Sequence, residues 1–412
     1  MNSKDGLTGF LIVACSLLLG ACSINNSKKQ DMNFEKGTFG YDLQFLNRYD
    51  SVIVLSDKSG EARIIVSPKY QAKVFTSTAE GDKGSSFGWI NYDAIDKLTP
   101  HMNAYGGENR LWLGPEGGQY SIYFEPGAEQ VYDNWQTAAE IDSEAWQLVQ
   151  SSEMSVSMRK EMQLTNYKGS ELSVVSERIV TLLSSDEIGC KLGVEIPENV
   201  KTVGYTTNNN ITNAGDKQWT EESGTISIWI LDMFTPSPSA VTVVPYVAGC
   251  ETELGKVATT DYFGDIPPQW LQIDEKAIYL KVDGKHRAKL GVAPKRAKPI
   301  AGNYDPDAKV LTITVVDVAK EAVYLNQEWR LDADPLKGDA INAYNDGPLE
   351  DGSQMGPFYE IESASPAAFL KPGESMQHQH DVYHFVGSEE QLTLLSEALL
   401  GVSINEIKTI FK

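Results

Sequence analysis

From Phe39 onward, runs rich in β-branched and aromatic residues recur between turn-forming clusters. The runs are SVIVLS (51–56), ARIIVS (62–67), KVFTST (73–78), SIYFE (121–125), ELSVVSERIVTLL (171–183), TISIWIL (225–231), AVTVVPYV (240–247), AIYLKVD (277–283) and VLTITVV (310–316). These residue types suit a pleated surface with at least one buried face, so each run is predicted to be a strand. Between them stand Gly, Pro, Asn and Asp clusters such as PEGGQ, NNNITNAGD, DIPPQ and NDGPLEDG, which read as turns. No amphipathic helical pattern alternates with the strands, which argues against a parallel α/β sheet and makes the class all-β. The clearest helix comes late, in SEEQLTLLSEALLG. Ser388 caps it, Gln391 completes a capping box, Leu392, Leu395 and Leu399 share one face, and Gly401 ends it. A second box, Ser403 to Glu406, starts the last turns. No fixed-period repeat or composition break divides residues 37–412, which are read as one domain.

The N-terminus follows a different pattern. Residues Phe10 to Leu19 form an apolar run behind Lys4, too short to span a bilayer but suited to a signal-peptide core. The run closes on Leu19-Gly20-Ala21-Cys22, which resembles a bacterial lipoprotein box. That resemblance implies cleavage before Cys22 and a diacylglycerol on its thiol, so residues 1–21 are the leader and 22–36 a flexible polar tether. Acyl chains grouped on one residue anchor a protein stably where a single chain is marginal. The expected location is therefore the cell envelope, with membrane contact through this anchor alone. Ser23, rather than Asp, after the cysteine leans toward the outer membrane by the enterobacterial sorting rule, with the periplasmic and the surface face both open.

Composition narrows the partners. The 412 residues are 41% apolar and 22% charged, ordinary for a globular chain, and the charges sum to 35 − 57 = −22. Such a surface repels phosphate backbones and anionic headgroups, so nucleic acid is not an expected partner and neutral ligands fit better. With Cys15 in the leader and Cys22 lipidated, Cys190 and Cys250 are the one pair left for a disulfide; bonded and separate thiols both remain open.

Several constellations could carry chemistry. A strand through PFYEIESAS puts Phe358, Glu360 and Glu362 on one face and Tyr359, Ile361 and Ser363 on the other. Two carboxylates about 6.6 Å apart along the strand become an acid–base pair if partly buried, or a solvated pair if the face is open. HQHDVYH aligns His378, His380 and His384 on one face of an extended segment. Imidazoles so grouped could hold Zn, move protons or contact sugars, or they are plain surface or satisfied core histidines. GGENRLWLGPEGG offers Asn109, Arg110, Trp112 and Glu116 and reads as a ligand-edge loop: Arg forks onto a carboxylate or diol, and an indole stacks on a sugar or belongs to the core. Trp89, Trp219 and Trp329 carry the same ambiguity. Lys285, His286, Arg287, Lys289, Lys295, Arg296 and Lys298 form the one basic stretch, either a solvated hairpin or a seat for an anionic sugar such as a uronate or sulfate. NDGPLEDG makes no phosphate cradle, since no helix with Lys-Ser or Lys-Thr follows.

FGWIN (87–91), GGENRLWLGPEGGQYSIYF (106–124), TNNNITNAG (207–215), ESGTISIWILDMFTPSP (222–238), DGKHRAKLG (283–291), NAYNDGP (342–348) and GPFYEIESASPAAFLKPGES (356–375) resemble an uncharacterised family of bacterial lipoproteins grouped with galactose-mutarotase-like proteins. The resemblance implies a β-supersandwich, two large antiparallel sheets with a sugar-sized cleft on the concave face. Aldose 1-epimerases, polysaccharide lyases and large glycosidase domains share that architecture, so one fold serves many reactions. Epimerases carry an Asn-Arg pair, two histidines and a late glutamate. Asn109-Arg110 and Glu360 or Glu362 match the first and last parts, and His101 stands for the first histidine, but no central His-x-Tyr-Phe-Asn occurs. The candidate catalytic residues are accordingly Glu360, Glu362, His378 and His380. Asn109, Arg110, Trp112, Glu116, His101, Arg287, Asn345 and His384 are the candidate substrate contacts, with no cofactor and no resident metal expected. The implied activity is epimerase-like, or elimination from a uronide whose carboxylate Arg110 neutralises. The alternative is a non-catalytic glycan-binding lipoprotein using Trp112 and the TNNNITN loop.

Overall fold

Strand pairing sorts the chain into three antiparallel sheets. A computed structural model describes residues 33–412 apart from Asp96 and Pro100; the leader, Cys22 and the tether up to residue 32 lie outside the described residues. In chain order the strands are β1 (Ile53–Ser56), β2 (Arg63–Ser67), β3 (Lys73–Thr78), β4 (Arg110–Gly114), β5 (Gln147–Ser151) and β6 (Ser155–Thr165). They continue with β7 (Glu171–Leu183), β8 (Lys201–Asn213), β9 (Ser227–Phe234), β10 (Val241–Pro245), β11 (Leu271–Ile273) and β12 (Ala277–Lys281). The rest are β13 (Ala288–Val292), β14 (Ile300–Asp305), β15 (Val310–Val316), β16 (Ile341–Asn345), β17 (Tyr359–Ala364) and β18 (Ser375–Val386). Strands β1-β2-β3 form a small sheet, β11-β12-β10-β14-β15-β18-β8-β7-β6-β5 a ten-stranded one, and β13-β16-β17-β9-β4 a five-stranded one. The all-β class, with large antiparallel sheets and short C-terminal helices, is what the chain adopts.

Burial patterns tell how the sheets are stacked. β6 and β7 alternate buried and open positions, as a sheet with one wet face does, whereas β4, β9, β13, β16 and β17 are buried at essentially every position. The five-stranded sheet is therefore covered on both sides. Its inner face rests on the ten-stranded sheet, where Ser363 of β17 meets His378 and His380 of β18, and Asp232 of β9 meets His380. Ile230, Ile361, Ala343, Tyr205 and Val382 fill the apolar part of that layer. Its outer face carries the cleft described below.

Helices cover part of the far side of the ten-stranded sheet, over β10, β14 and β15 and beside β8. The capping boxes at Ser388/Gln391 and Ser403/Glu406 form as expected, starting helices Glu389–Leu400 and Ile404–Thr409, and Gly401 ends the first in the left-handed region at φ 76°. Leu392, Leu395, Leu400, Ile404 and Ile407 pack on Val241, Val243, Tyr304 and Leu311. A third capped helix, Ser185–Leu192, uses Ser184, Glu187 and Gly193, a signature equally present in the sequence but not picked out there. Among the described residues no helix is long and apolar enough to cross a membrane.

Three segments differ from expectation. SIYFE (121–125) is not a strand; Tyr123 and Phe124 are buried by stacking and edge contacts with Trp135 and Trp329 rather than by ladder pairing. Asn208–Asn213 is not a loop but the end of β8, paired along its length with β7 and β18. RLWLG is not a loop either: it is β4, the edge of the five-stranded sheet. Cys190 and Cys250 are both free and exposed, so they form no disulfide.

Candidate active site

Period-two alternation decides what reaches the cleft. The register aligns Arg110, Leu231, Glu362 and Asn342 in one row across the five-stranded sheet, and Met233, Glu360, Tyr344 and Lys289 in the next. Trp112 and Trp229 stand opposite one another in a third row. Apart from Asn342 and Glu362, these side chains form the floor of a cleft whose deep end holds about 100 Å³ and whose mouth about 470 Å³. Loop residues Met102 and Ala104 and the side chains of Glu116, Tyr132, Trp135, Phe263 and Trp329 wall it. Trp112, Trp135 and Trp329 lie nearly parallel, at centroid distances of 6.3 and 6.5 Å and interplanar angles of 28° and 17°. Around the mouth, Tyr132, Phe263, Leu349 and Met355 are 59%, 43%, 43% and 38% exposed, apolar surface that singly means little and grouped at one opening suggests a ligand.

Charge is distributed in pairs along the floor. Arg110 forms an ion pair with Glu360 and lies 5.2 Å over the Trp112 ring. Lys289 Nζ reaches Glu362 Oε2 at 2.9 Å, and Trp229 Nε1 donates to the same oxygen at 2.9 Å, leaving Glu362 Oε1 buried without a partner. Arg110 Nε is likewise buried and unpartnered. Burial raises the Glu360 carboxyl above the ordinary carboxylate value; Arg110 opposes the rise, Glu362 adds to it and Lys289 opposes it again. Burial also raises Glu116, against the pull of Lys289. For Lys289 burial favours the neutral amine, but Glu362 and Glu116 outweigh it and the ammonium is raised. The cleft thus contains two carboxyls biased toward retaining a proton, beside two cations, Arg110 and Lys289, that are already paired.

The structure does not bring the histidines to these carboxyls. β17 sends Glu360 and Glu362 outward and Ser363 inward, and all three histidines of β18 lie on the inner side, so the sheet itself stands between them and the cleft. His380 Nε2 is 2.7 Å from Asp232 Oδ2, and Ser363 Oγ is 2.8 Å from both His380 Nδ1 and His378 Nε2. His384 sits against Glu108 Oε1 at 3.1 Å and Thr312 Oγ1 at 2.9 Å, under the stacked ring of Phe87. Among the described residues no group of three His, Cys, Asp or Glu converges on a metal position. The expected pairing of Glu360 or Glu362 with His378 or His380 is therefore corrected to two separate networks, and His384 makes no contact with the cleft.

The buried location of His378 has a measurable consequence. Burial, with His380 beside it, depresses its pKa to about 3. The unfolded imidazole titrates near 6.5, so between those values the unfolded chain binds the extra proton and stability falls with falling pH. Other acids shift stability too, but they are common to parent and variant. The stability gap between the parent and His378→Asn is expected to narrow by about 1.4 kcal/mol per pH unit from pH 6.5 downward. Urea titrations of both proteins at pH 7, 6 and 5 check it; a constant gap would show that His378 is not held neutral.

The remaining candidates divide. Arg110, Trp112, Glu116, Arg287 and Glu360 line the cleft, while Glu362 supports its floor. Asn109 points inward, donating to Asp232 Oδ1 at 2.6 Å and accepting from Arg178. Asn345 ties the 284–286 turn, accepting from Gly284 N and donating to the His286 carbonyl, each at 2.9 Å, and so fixes the base from which Arg287 projects. His101 precedes the wall residue Met102 but turns to Gln136. The basic stretch is not a solvated hairpin: Lys289 is buried in the floor, and Arg296 donates to the carbonyls of Val247, Gly249 and Gly255. Trp135, Trp229, Phe263, Met355 and Tyr344 were not expected in the site, and Lys289 was expected only as a member of the basic stretch. Alternation from Glu360 and Arg110 across neighbouring strands gives Lys289, Trp229 and Tyr344, but only once the strand order is known.

The molecule is thus an all-β protein with an aromatic-walled, charge-paired cleft on one sheet. It belongs to the family of unknown function DUF6786, whose model matches residues 37–411. No curated protein matches the chain. Similar solved structures include a proposed aldose 1-epimerase from Escherichia coli K12, at 16% identity and a TM-score of 0.48, covering 81% of this chain and 98% of that one. The Slr1438 protein from Synechocystis sp. PCC 6803 aligns at 13% identity and a TM-score of 0.47, covering 82% and 96%. A galactose mutarotase-like protein from Lactobacillus casei ATCC 334 aligns at 9% identity and a TM-score of 0.46, covering 81% and 100%. Chemistry has to be read from this chain's own residues.

Proposed function

We propose that this chain is an envelope-anchored carbohydrate-active protein that binds a sugar or oligosaccharide in the cleft and acts on it by proton transfer. The observation that carries the proposal is the Arg110–Glu360 pair at the base of near-parallel indoles from Trp112, Trp135 and Trp329. Indole faces suit the apolar faces of sugar rings, while Arg and carboxyl groups suit their hydroxyls. Glu360, biased toward its protonated form, is the proton donor, and Glu116 is the second carboxyl of the wall. Epimerase and lyase or dehydratase chemistry both need such groups. Cys22, in its lipoprotein-box context, is the proposed anchor, and the outer membrane the proposed location.

A second reading, glycan capture without turnover, is favoured by one feature: Glu360 and Glu362 are each tied to a cation, and among the described residues no imidazole lines the cleft. Calorimetric titration with mono- and oligosaccharides, with products followed by mass and ultraviolet absorbance, separates the readings. Trp329→Ala, at a half-buried position, is expected to weaken sugar binding about 10-fold or more, with its melting temperature reporting on folding. If no saccharide binds the parent, or the variant binds it equally well, the cleft is not a sugar site.

A further inference from the structure

Arg110 and Lys289 each have a carboxylate, but the third cation of the cleft does not. Among the described residues no carboxylate lies within ion-pair distance of Arg287, the Glu116 carboxyl acting on it only from farther off, and its two terminal nitrogens have no hydrogen-bond partner. Yet the guanidinium is held firmly. It lies 3.7 Å over the Phe263 ring, and its Nε donates to Tyr344 Oη at 3.4 Å, while that hydroxyl donates onward to Asp346 Oδ1 at 2.9 Å. Asn345 fixes the preceding turn from below. Arg287 lines both the deep end and the mouth, so its free edge borders the space a ligand occupies. A fork held at Nε and by one stacked face, with the terminal edge empty, is suited to a planar or tetrahedral oxyanion. Such an edge stands out in a chain of net charge −22, where acidic partners are in excess.

We propose that the cleft selects a sugar carrying an anionic substituent, a uronate carboxylate or a sulfate ester, and that Arg287 receives that group on its terminal nitrogens. This inference rests on the sugar-cleft reading and adds the ligand class to it. It also reassigns a role: the sequence suggested Arg110 for a substrate carboxylate, but Arg110 is already paired with Glu360. The ring would lie against the indole wall and its anionic group toward Phe263 and Tyr344, so Arg287 sets specificity without touching the proton-transfer group.

The test titrates three matched probes into the parent chain: a galacturonate trisaccharide, its carboxyl-reduced galactose counterpart and a sulfated galactose trisaccharide. At low salt at least one anionic probe is expected to bind about 10- to 100-fold more tightly than the neutral one, the range of a charge-assisted hydrogen-bonded contact. The advantage should shrink as salt is raised. Arg287→Gln should erase it, lowering affinity for the anionic probe far more than for the neutral one, and Arg287→Lys, which keeps the charge but loses the fork, should recover part of it. Melting temperatures of both variants report on folding. Which anionic probe gains identifies carboxylate or sulfate. Neutral and anionic probes binding alike, or Arg287→Gln weakening both equally, would overturn the inference and leave the sugar cleft standing; failure of all three to bind would overturn both.

Discussion

Replacing Asp232 by Ala is expected to destabilise the folded body by about 3–5 kcal/mol, the cost of removing one partner from a buried charged network. Asp232 is fully buried and accepts from Asn109 and His380, and Asn109 in turn accepts from Arg178. Arg178 is itself completely enclosed; burial lowers its pKa to about 10, and the nearby Tyr205 and Asp232 resist that fall. At neutral pH the guanidinium stays charged, and Asp232 is the acid held beside it through one amide. Without the carboxyl, His380 loses its Nε2 partner, Asn109 loses an acceptor and the cation is left in a low-dielectric layer. At ~2.1 cal/mol/K per residue for a body of this size, the loss corresponds to a melting temperature lower by about 4–6 °C. Asp232→Asn, which keeps an oxygen acceptor, should lose less. Thermal melts of the two variants check the claim; an Ala variant within about 1 kcal/mol of the parent would show that the layer gains nothing from its polar residues.

That layer also shows what the sequence could and could not convey. Alternation in PFYEIES was enough to put Glu360 with Glu362 and Ser363 opposite, and even spacing was enough to align His378, His380 and His384. Neither pattern says which face of a strand meets a second sheet. When both faces are buried, polar and apolar residues occur on each, and the usual cue of an apolar inside against a polar outside disappears. β9 has Trp229 and Met233 toward the cleft and Ile230 and Asp232 toward the other sheet, so hydropathy alone does not orient it.

Local propensity failed for related reasons. Asn-rich TNNNITN has the composition of a turn, but Asn209 on the inner face is engaged by Arg178, Thr207 and the His378 carbonyl, and long pairing with β7 and β18 overrides the preference. SIYFE has the composition of a strand, but its aromatic residues are buried by the tryptophans of the cleft wall. Capped helices were legible because a capping box is a local device: its two hydrogen bonds join residues three apart and need no tertiary partner. The cleft was legible at Arg110, Trp112, Glu116, Arg287 and Glu360; Lys289 and Tyr344 reach it through strand pairings, one of them between residues more than fifty apart in sequence, that no local pattern announces.

Under the proposed sugar chemistry, Glu360→Gln is expected to lower turnover about 10²- to 10⁴-fold, the usual contribution of a positioned proton-transfer group, while leaving affinity within a few-fold. Glutamine preserves the shape and can still accept from Arg110, so binding contacts persist and the transferable proton does not. A parallel Trp329→Ala variant should show the opposite signature, raising KM more than it lowers kcat, because a stacking wall acts on ground and transition states alike. The pH profile adds a second readout. Because burial and the adjacent Glu362 raise the Glu360 carboxyl above the ordinary carboxylate value, with Arg110 and Lys289 only partly opposing them, the proton is retained to higher pH. If Glu360 is the acid, activity falls as pH rises through that raised pKa, and this limb vanishes in the Gln variant. Should Glu360→Gln bind and turn over sugar as the parent does, the carboxyl is a structural counter-ion for Arg110, and proton transfer passes to Glu116, the other cleft carboxyl whose pKa burial raises.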